Sequence, residues 1–265
     1  MIKVVSLFKR KIGTTPEQFR NYYENNHVKI FKDLHIIPGY ERYVRRYLTP
    51  ITPLAEDRAP FDVIMENWFT PEVYERFFVN PQPLDDEFLK IVAADEENIF
   101  DRSQMFVHNV EDHDSDIPGA SPKWEDAIND GKIRRVAVLL QKKDGMSAEE
   151  FKDYYENEHV KLVEKYLPEQ GLIRYSRRYL TPMIDIISGK TPESGIDAIT
   201  ELWFSSDELY EKYVTTGTCM APEADKVLAD DSKNFLNISR AVAYIIEERD
   251  TLLPNSTLKS TLSLA

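Results

Sequence analysis

The alternation of apolar and polar positions in the first hundred residues predicts strands and helices in turn. Ile2 to Phe8 is rich in β-branched and apolar residues and ends at a basic stretch before Gly13, which predicts a strand and a turn. From there to about Leu34, apolar residues recur at steps of three and four, which predicts a helix with one apolar face. The apolar residues of that face are Phe19, Tyr22, Tyr23, Ile30, Phe31 and Leu34. His27 lies on the same face.

Two more strands, a second helix and a fourth strand are predicted downstream. Tyr40 to Leu48 and Phe61 to Phe69 have the composition of strands, and Thr70-Pro71-Glu72 is typical of a helix start. That helical region extends to about Asn98, and Arg102 to Val110 is the fourth predicted strand. The order strand, helix, strand, strand, helix, strand is that of a ferredoxin-like α+β unit.

The same pattern occurs twice in the chain. Gly13 to Pro50 matches Gly145 to Pro182 without a gap, and 19 of these 38 positions are identical. Further along, Phe61 to Phe69 matches Ile196 to Phe204, and the loop that precedes this block is three residues longer in the second copy. We therefore predict two tandem units, in the second of which Ser147 begins a helix with a capping box.

We expect domains at 1–112 and 132–250, an exposed acidic linker at 113–131 and a loose tail at 251–265. A four-stranded sheet with helices on one face leaves its other face bare, and covering that face contributes about 25 cal/mol per Å² of apolar surface. The two sheets are predicted to cover each other as an intramolecular dimeric α+β barrel. In such a monomer the two units pair as the subunits of a dimer do. Further association of two chains into a homodimer is the alternative.

The amino-acid composition argues against several classes of binding partner and several kinds of chemistry. A net charge of −13 argues against binding to nucleic acid or to an anionic membrane. A single cysteine, Cys219, and the lack of a cysteine–histidine cluster argue against disulfides and zinc. The first residues lack the pattern of a signal peptide and no apolar stretch is long enough to span a bilayer, so we expect a cytoplasmic protein. Without a phosphate-binding glycine loop, a serine nucleophile elbow or an HExxH motif, we expect neither a cofactor nor a metal.

His27 and His159 are the principal candidates for catalysis. They occupy the same place in the blocks YYENNHVK, from Tyr22, and YYENEHVK, from Tyr154. Imidazole is the side chain most easily used as both acid and base near neutral pH. The alternative is a hydrogen-bonded core histidine on an apolar helix face. The other histidines have no histidine counterpart and are weaker candidates: His35, His108 and His113.

A second group of candidates lies on the third predicted strand of each copy. Glu66 and Glu201 are predicted to be catalytic. Each shares a strand face with a tryptophan and an aspartate, and these side chains together form a polar patch. Such a patch can orient an imidazole or raise the pKa of a carboxyl group. The alternative is a cross-strand ion pair of each glutamate with an arginine. The candidate arginines are Arg45 or Arg46, and Arg177 or Arg178. Substrate-binding roles are predicted for these tryptophans and aspartates and for tyrosines that offer aromatic walls with hydroxyl groups: Asp62, Asp197, Trp68, Trp203, Tyr23, Tyr155, Tyr47 and Tyr179.

Three repeated blocks carry a resemblance to a known family. FxxYYENxHV, RYxRRYLTP and DxIxExWF together resemble the EthD-like branch of the dimeric α+β barrel superfamily over both halves of the chain. The resemblance implies a small-molecule pocket between helices and sheet in each unit. Relatives in the wider superfamily act on aromatic or polyketide compounds as decarboxylases, dehydratases, cyclases, isomerases and cofactor-free monooxygenases.

The predicted function is therefore that of a cofactor-independent lyase or isomerase acting on an aromatic or polyketide-derived small molecule. Enolisation, dehydration and decarboxylation all fit a histidine that moves a proton. Three alternatives stay open at this point: a cofactor-free monooxygenase on a phenolic substrate, a haem protein, and a non-catalytic binding module.

Overall fold

The computed structural model describes residues 1–34, 37–51, 59–80, 86–115, 117–123, 131–167 and 171–258. Its centre is a closed antiparallel barrel of eight strands in the order β1-β3-β2-β8-β5-β7-β6-β4. The strands are β1 (Ile2–Arg10), β2 (Tyr40–Pro50), β3 (Val63–Phe69), β4 (Phe100–Asp114), β5 (Arg134–Leu140), β6 (Leu172–Pro182), β7 (Ala198–Phe204) and β8 (Val242–Leu252). The α+β class and the barrel agree with the prediction.

Each half of the chain contributes four neighbouring strands to the barrel. The first half has the order β4-β1-β3-β2 and the second half the order β8-β5-β7-β6. The halves are joined twice, because β2 pairs with β8 and β4 pairs with β6. At these two junctions Arg46 lies opposite Glu248, and Arg178 lies opposite Asp112. Closure in this way leaves no free sheet edge.

The helices cover the outer surface of the barrel. They are α1 (Pro16–Tyr22), α2 (Pro71–Tyr74), α3 (Asp86–Ile99), α4 (Ala148–Tyr154), α5 (Val160–Tyr166), α6 (Asp207–Thr216) and α7 (Pro222–Ser232). The predicted capping box of α4 is confirmed: the Ser147 side chain accepts from the backbone N–H of Glu150, whose carboxylate accepts from the backbone of Ser147. Single π-helical turns follow α1 and α4, at Tyr23–His27 and Tyr155–His159.

Apolar residues form one layer inside the barrel and one layer outside each half. Val5, Leu7 and Ile64 belong to the interior layer, together with Leu139 and Ile199 from the second half. Residues that alternate with these along the strands point outward and pack beneath the helices. Most positions on both faces of the barrel wall are therefore buried or half-buried, and the exposed ones lie mainly on β4 and β8.

The segments that follow β4 and β8 pack on the opposite half of the chain. Ile117 joins the outer core of the second half, and Leu253 joins that of the first half. Arg45 donates to the Thr251 hydroxyl and Arg177 to the Ser115 hydroxyl. The expectation of a loose tail is wrong for residues 251–258, since apolar burial and hydrogen bonds hold this segment in place. The expected linker is likewise packed where it follows β4, and the remainder of the tail, 259–265, lies outside the described residues.

Among the residues that the structure describes, no helix is both long and apolar enough to cross a membrane.

Candidate active site

The barrel wall separates the predicted site residues into two groups. Side chains alternate between the two faces of a strand, so Glu66 and Trp68 point into the barrel, as do Glu201 and Trp203. His27 and His159 lie outside the wall, in the helical layer. The predicted arrangement, in which the glutamate orients the imidazole, is therefore not formed.

His27 is held by an aspartate of α3. The π-helical turn Tyr23–His27 places the imidazole beneath α3, where its Nδ1 lies 2.6 Å from Asp95 Oδ2. The Tyr22 hydroxyl donates to the other carboxylate oxygen of Asp95 at 2.8 Å. The imidazole is 2% exposed, and its Nε2 has no hydrogen-bond partner among the described residues. One ring nitrogen is thus bound to a carboxylate while the other is available.

His159 has the same arrangement in the second half. Its Nδ1 lies 2.7 Å from Asp231 Oδ2, and the Tyr154 hydroxyl donates to Asp231 Oδ1 at 2.8 Å. Asn234 donates to that same hydroxyl at 2.9 Å. Burial lowers the pKa of His159, an effect that the hydrogen bond to Asp231 partly opposes.

The two aspartates were not predicted, although the sequence contains a signal for them. When the two copies are aligned at this point, Asp95 matches Asp231 and Asn98 matches Asn234, while the alanines two positions before each aspartate also match. This pattern is a fourth repeated block, shorter than the other three. Its offset between the copies differs from theirs, so it falls out of register when the longer blocks are aligned.

Glu66 and Glu201 form an ion network inside the barrel. Arg46 and Arg178 both donate to Glu66 Oε2, and the Trp68 indole donates to Oε1. Burial alone would raise the pKa of Glu66, but the two guanidinium groups lower it well below its usual value. The same two groups lower the pKa of Glu201 to about 2 against the effect of its burial. The ion-pair alternative is therefore what the structure contains, with Arg46 and Arg178 as the partners.

Arg45 and Arg177 point to the other face, where each binds a glutamate of the neighbouring helical turn. Arg45 donates to both oxygens of Glu24 at 3.0 and 2.6 Å, and Tyr47 donates to Glu24 at 2.7 Å. Tyr179 and Arg177 bind Glu156 in the same way. Tyr47 and Tyr179 thus anchor these ion pairs, and neither lines the cavity beside His27 or the cavity beside His159.

The predicted aspartates and tryptophans also lie away from the imidazoles. Asp62 pairs with Arg10, and Asp197 with Lys142, near the ends of their strands. The Trp68 ring lies beneath Lys3 and Arg42, and the Trp203 ring beneath Arg135 and Arg174. All four contacts are cation–π interactions in or beside the barrel.

The weaker histidine candidates that the structure describes lie in other surroundings. His108 is fully buried inside the barrel, with Nε2 at 2.9 Å from the Ser194 hydroxyl. His113 binds Glu111 near the surface, and His35 lies outside the described residues. Across the described part of the chain, no three metal-binding side chains are grouped as a metal site.

A cavity of about 110 Å³ lies beside His27, between the helices and the sheet of the first half. His27 lines it, and Asp95 does not. Its walls are largely aromatic, and Asp185–Ile187 of the second half closes one side. The aromatic residues are Phe8, Phe31, Tyr40, Tyr43, Phe69, Phe77, Phe78 and Phe88.

A second cavity, of about 260 Å³, lies beside His159. Tyr155 lines it, and its hydroxyl bonds with that of Thr200 at 2.6 Å. Cys219 also lines it, with a thiol whose pKa is raised by burial to about 11. Its other walls are mainly aliphatic, so the two halves offer the same dyad to different cavities. Tyr23, the counterpart of Tyr155, bonds to Tyr43 at 2.7 Å and does not line the first cavity.

Three solved structures resemble this chain. The solved structure of an anthrone oxidase-like protein has a TM-score of 0.58 at 14% identity, covering 94% of this chain and 92% of that chain. A protein described as a proposed monooxygenase from Fusobacterium nucleatum subsp. nucleatum has a TM-score of 0.45 at 8% identity, with coverage of 95% and 94%. A proposed chlorite dismutase has a TM-score of 0.41 at 14% identity, with coverage of 92% and 94%. The first of these likenesses shows the shared fold.

No curated protein sequence matches the chain. The model of the EthD domain matches it twice, over residues 11–103 and 143–239, which include the two histidines and the two aspartates. The chain therefore belongs to the EthD domain family, as a protein with two copies of the domain.

Proposed function

We propose that this protein is an enzyme that moves a proton on an apolar, aromatic small molecule bound in the cavity of the first half. The observation that carries the proposal is the contact between His27 Nδ1 and Asp95, in a histidine that lines an aromatic cavity. His27 is the acid and base, and Asp95 positions it.

The dyad fixes both the tautomer and the charge that the imidazole can carry. Asp95 accepts the Nδ1–H, which leaves the lone pair on Nε2 as the base. When Nε2 takes a proton from the substrate, the carboxylate stabilises the imidazolium that forms. The Tyr22 hydroxyl occupies the second oxygen of Asp95, so the carboxylate is held in one orientation.

The two halves are proposed to be ferredoxin-like domains, with boundaries at 1–112 and 132–250, that cover each other through the barrel. Their strand orders and the two junctions between them support this division. The aromatic walls of the first cavity favour a flat ring system there. We place the principal activity in the first half for this reason.

A lyase or isomerase of the dehydratase, decarboxylase or cyclase type fits the histidine–aspartate dyad and its cavity. Each of these reactions begins with a proton transfer next to a carbonyl or hydroxyl group. A cofactor-free oxygenase shares that first step, because removal of a proton yields an electron-rich carbanion that dioxygen oxidises. The name of the anthrone oxidase-like protein with the same fold makes this the second candidate. We propose that neither reaction needs a cofactor.

Deuterium exchange into an enolisable aromatic ketone tests the common first step. With 2-tetralone as the probe in D₂O without oxygen, the protein is expected to speed incorporation of deuterium next to the carbonyl, followed by mass spectrometry. The His27→Gln variant removes the base and is expected to slow this exchange by at least about a hundredfold. His159→Gln is the matched control, with an expected change of less than about twofold.

Full exchange by a folded His27→Gln protein would reject His27 as the base. A wild-type rate equal to that of buffer would reject proton transfer on this substrate class. Consumption of oxygen when air is admitted would select the oxygenase over the lyase or isomerase.

A further inference from the structure

The sheet side of the first cavity carries two polar residues among apolar neighbours. Ser6 of β1 and Asn67 of β3 both line the cavity, and they are 1% and 7% exposed. Their strands are adjacent, with Ser6 opposite Met65 and Val4 opposite Asn67, so the two side chains are diagonal neighbours on one face of the sheet.

Both residues present a donor without a protein partner. The Tyr40 hydroxyl donates to Asn67 Oδ1, which leaves the Nδ2 amide hydrogens for the cavity. Burial raises the pKa of Tyr40 well above its usual value, so the phenol keeps the proton that fixes this orientation. No described residue hydrogen-bonds to Ser6 Oγ or Asn67 Nδ2. Buried donors are normally paired, so a pair of unused donors at a cavity indicates a ligand oxygen.

The second half lacks this pair. Val138 occupies the position that corresponds to Ser6, since it pairs with Thr200 as Ser6 pairs with Met65. Leu202 occupies the position that corresponds to Asn67. Val138 and Leu202 both line the second cavity. The histidine–aspartate dyads are alike in the two halves. The polar pair therefore distinguishes the ligand that the first cavity binds from the ligand that the second cavity binds.

We infer that Ser6 and Asn67 bind the carbonyl oxygen of the substrate while His27 acts on the adjacent carbon. This inference deepens the proposed function and rests on it. His27 Nε2 takes the proton from the carbon, the electron pair of that C–H bond moves into a carbon–carbon double bond, and the carbonyl oxygen becomes an enolate oxygen. The Ser6 hydroxyl and the Asn67 amide donate to that oxygen as its charge develops. The imidazolium then returns the proton. The substrate class is an aromatic ketone with an enolisable hydrogen, or the phenol that is its tautomer.

Paired ligands separate recognition of the oxygen from general apolar binding. The affinities of 2-tetralone and of tetralin, which is the same skeleton without the carbonyl, are to be measured by calorimetry for each protein. The double variant Ser6→Val, Asn67→Leu gives the first cavity the residues of the second. We expect it to weaken 2-tetralone binding roughly tenfold, as for the loss of two hydrogen bonds, and to leave tetralin affinity within about twofold.

Asn67→Asp is the second variant, because it keeps an acceptor for Tyr40 and a similar shape but removes the donor. It is expected to lose the preference for the ketone while its thermal unfolding stays close to wild type. An unchanged ratio of 2-tetralone to tetralin affinity in both variants would overturn the inference.

The His27→Gln variant distinguishes this failure from that of the proposed function. If it loses deuterium exchange yet keeps the preference for 2-tetralone, both statements stand. If it keeps exchange while Asn67→Asp loses the preference for the ketone, the result supports the role of Ser6 and Asn67 and rejects His27 as the base.

Discussion

The two halves of the chain are more alike inside the barrel than at the two outer cavities. Inside the barrel the halves supply equivalent charges: Arg46 and Arg178 share a position in the repeated block RRYLTP, and Glu66 and Glu201 share a position in the matching strands β3 and β7. At the cavities the halves share the histidine–aspartate dyad and one tyrosine, Tyr43 or Tyr175, and differ in most of the remaining lining.

The physical reason is that interior charges find partners across the two halves. Glu66 is paired with Arg178 of the second half as well as with Arg46 of its own. A change in one copy would leave a charge of the other copy without a partner in a water-excluded interior, which is costly. The cavities lie on separate outer faces, so the lining of one can change without such a cost to the other.

The largest effect is expected from breaking the interior network. Glu66→Ala removes the carboxylate to which both buried guanidinium groups donate, and we expect it to lower the free energy of unfolding by about 3–5 kcal/mol. Glu201→Ala is the matched variant and should cost less, because its nearest guanidinium nitrogens lie 3.6 and 3.7 Å away. Urea denaturation followed by circular dichroism measures both. Equal losses, or an unaltered Glu66→Ala protein, would contradict this account of the barrel.

A smaller effect, confined to one half, is expected from Asp95→Asn. The asparagine has nearly the same shape but lacks the charge that stabilises the imidazolium, so kcat for deuterium exchange into 2-tetralone should fall about a hundredfold. KM should change little, because Asp95 does not line the cavity. Asp231→Asn is the control and should leave the exchange unchanged. If KM rises instead while kcat holds, Asp95 supports the shape of the cavity rather than the base.

Sequence patterns were sufficient for the repeat, the element order and the barrel, because these depend on local periodicity and on matching blocks. They did not show which face of the sheet Glu66 occupies, since β3 is buried or half-buried along its whole length. Without one solvated face, alternation shows which residues share a side but not which side meets the helices. Asp95 was missed for another reason: its short repeated block lies at a different offset from the longer blocks, and its contact with His27 spans 68 residues.

His108 is an interior position at which the two halves differ. Tyr244 takes its place in β8, since it pairs with Ala137 of β5 as His108 pairs with Val5 of β1. The His108 imidazole is fully buried, and its Nδ1 has no partner among the described side chains. Burial lowers its pKa from 6.5 to about 4. The first half therefore carries a group that titrates at acidic pH inside the barrel, where the second half has a phenol.

The smallest expected effect is the acid sensitivity that this imidazole adds. Between pH 6.5 and 4 the unfolded chain binds a proton at His108 and the folded chain does not, so stability falls as the pH is lowered through this window. At pH 5 the loss from this group should be about 2 kcal/mol relative to pH 7. His108→Gln keeps a polar side chain for Ser194 but does not titrate, and it should lack that part of the loss. Urea denaturation of both proteins at pH 7 and pH 5 gives the difference directly, because the carboxylates and His159 titrate alike in each. Equal acid sensitivity of the two proteins would mean that the buried imidazole takes up its proton without opening the barrel.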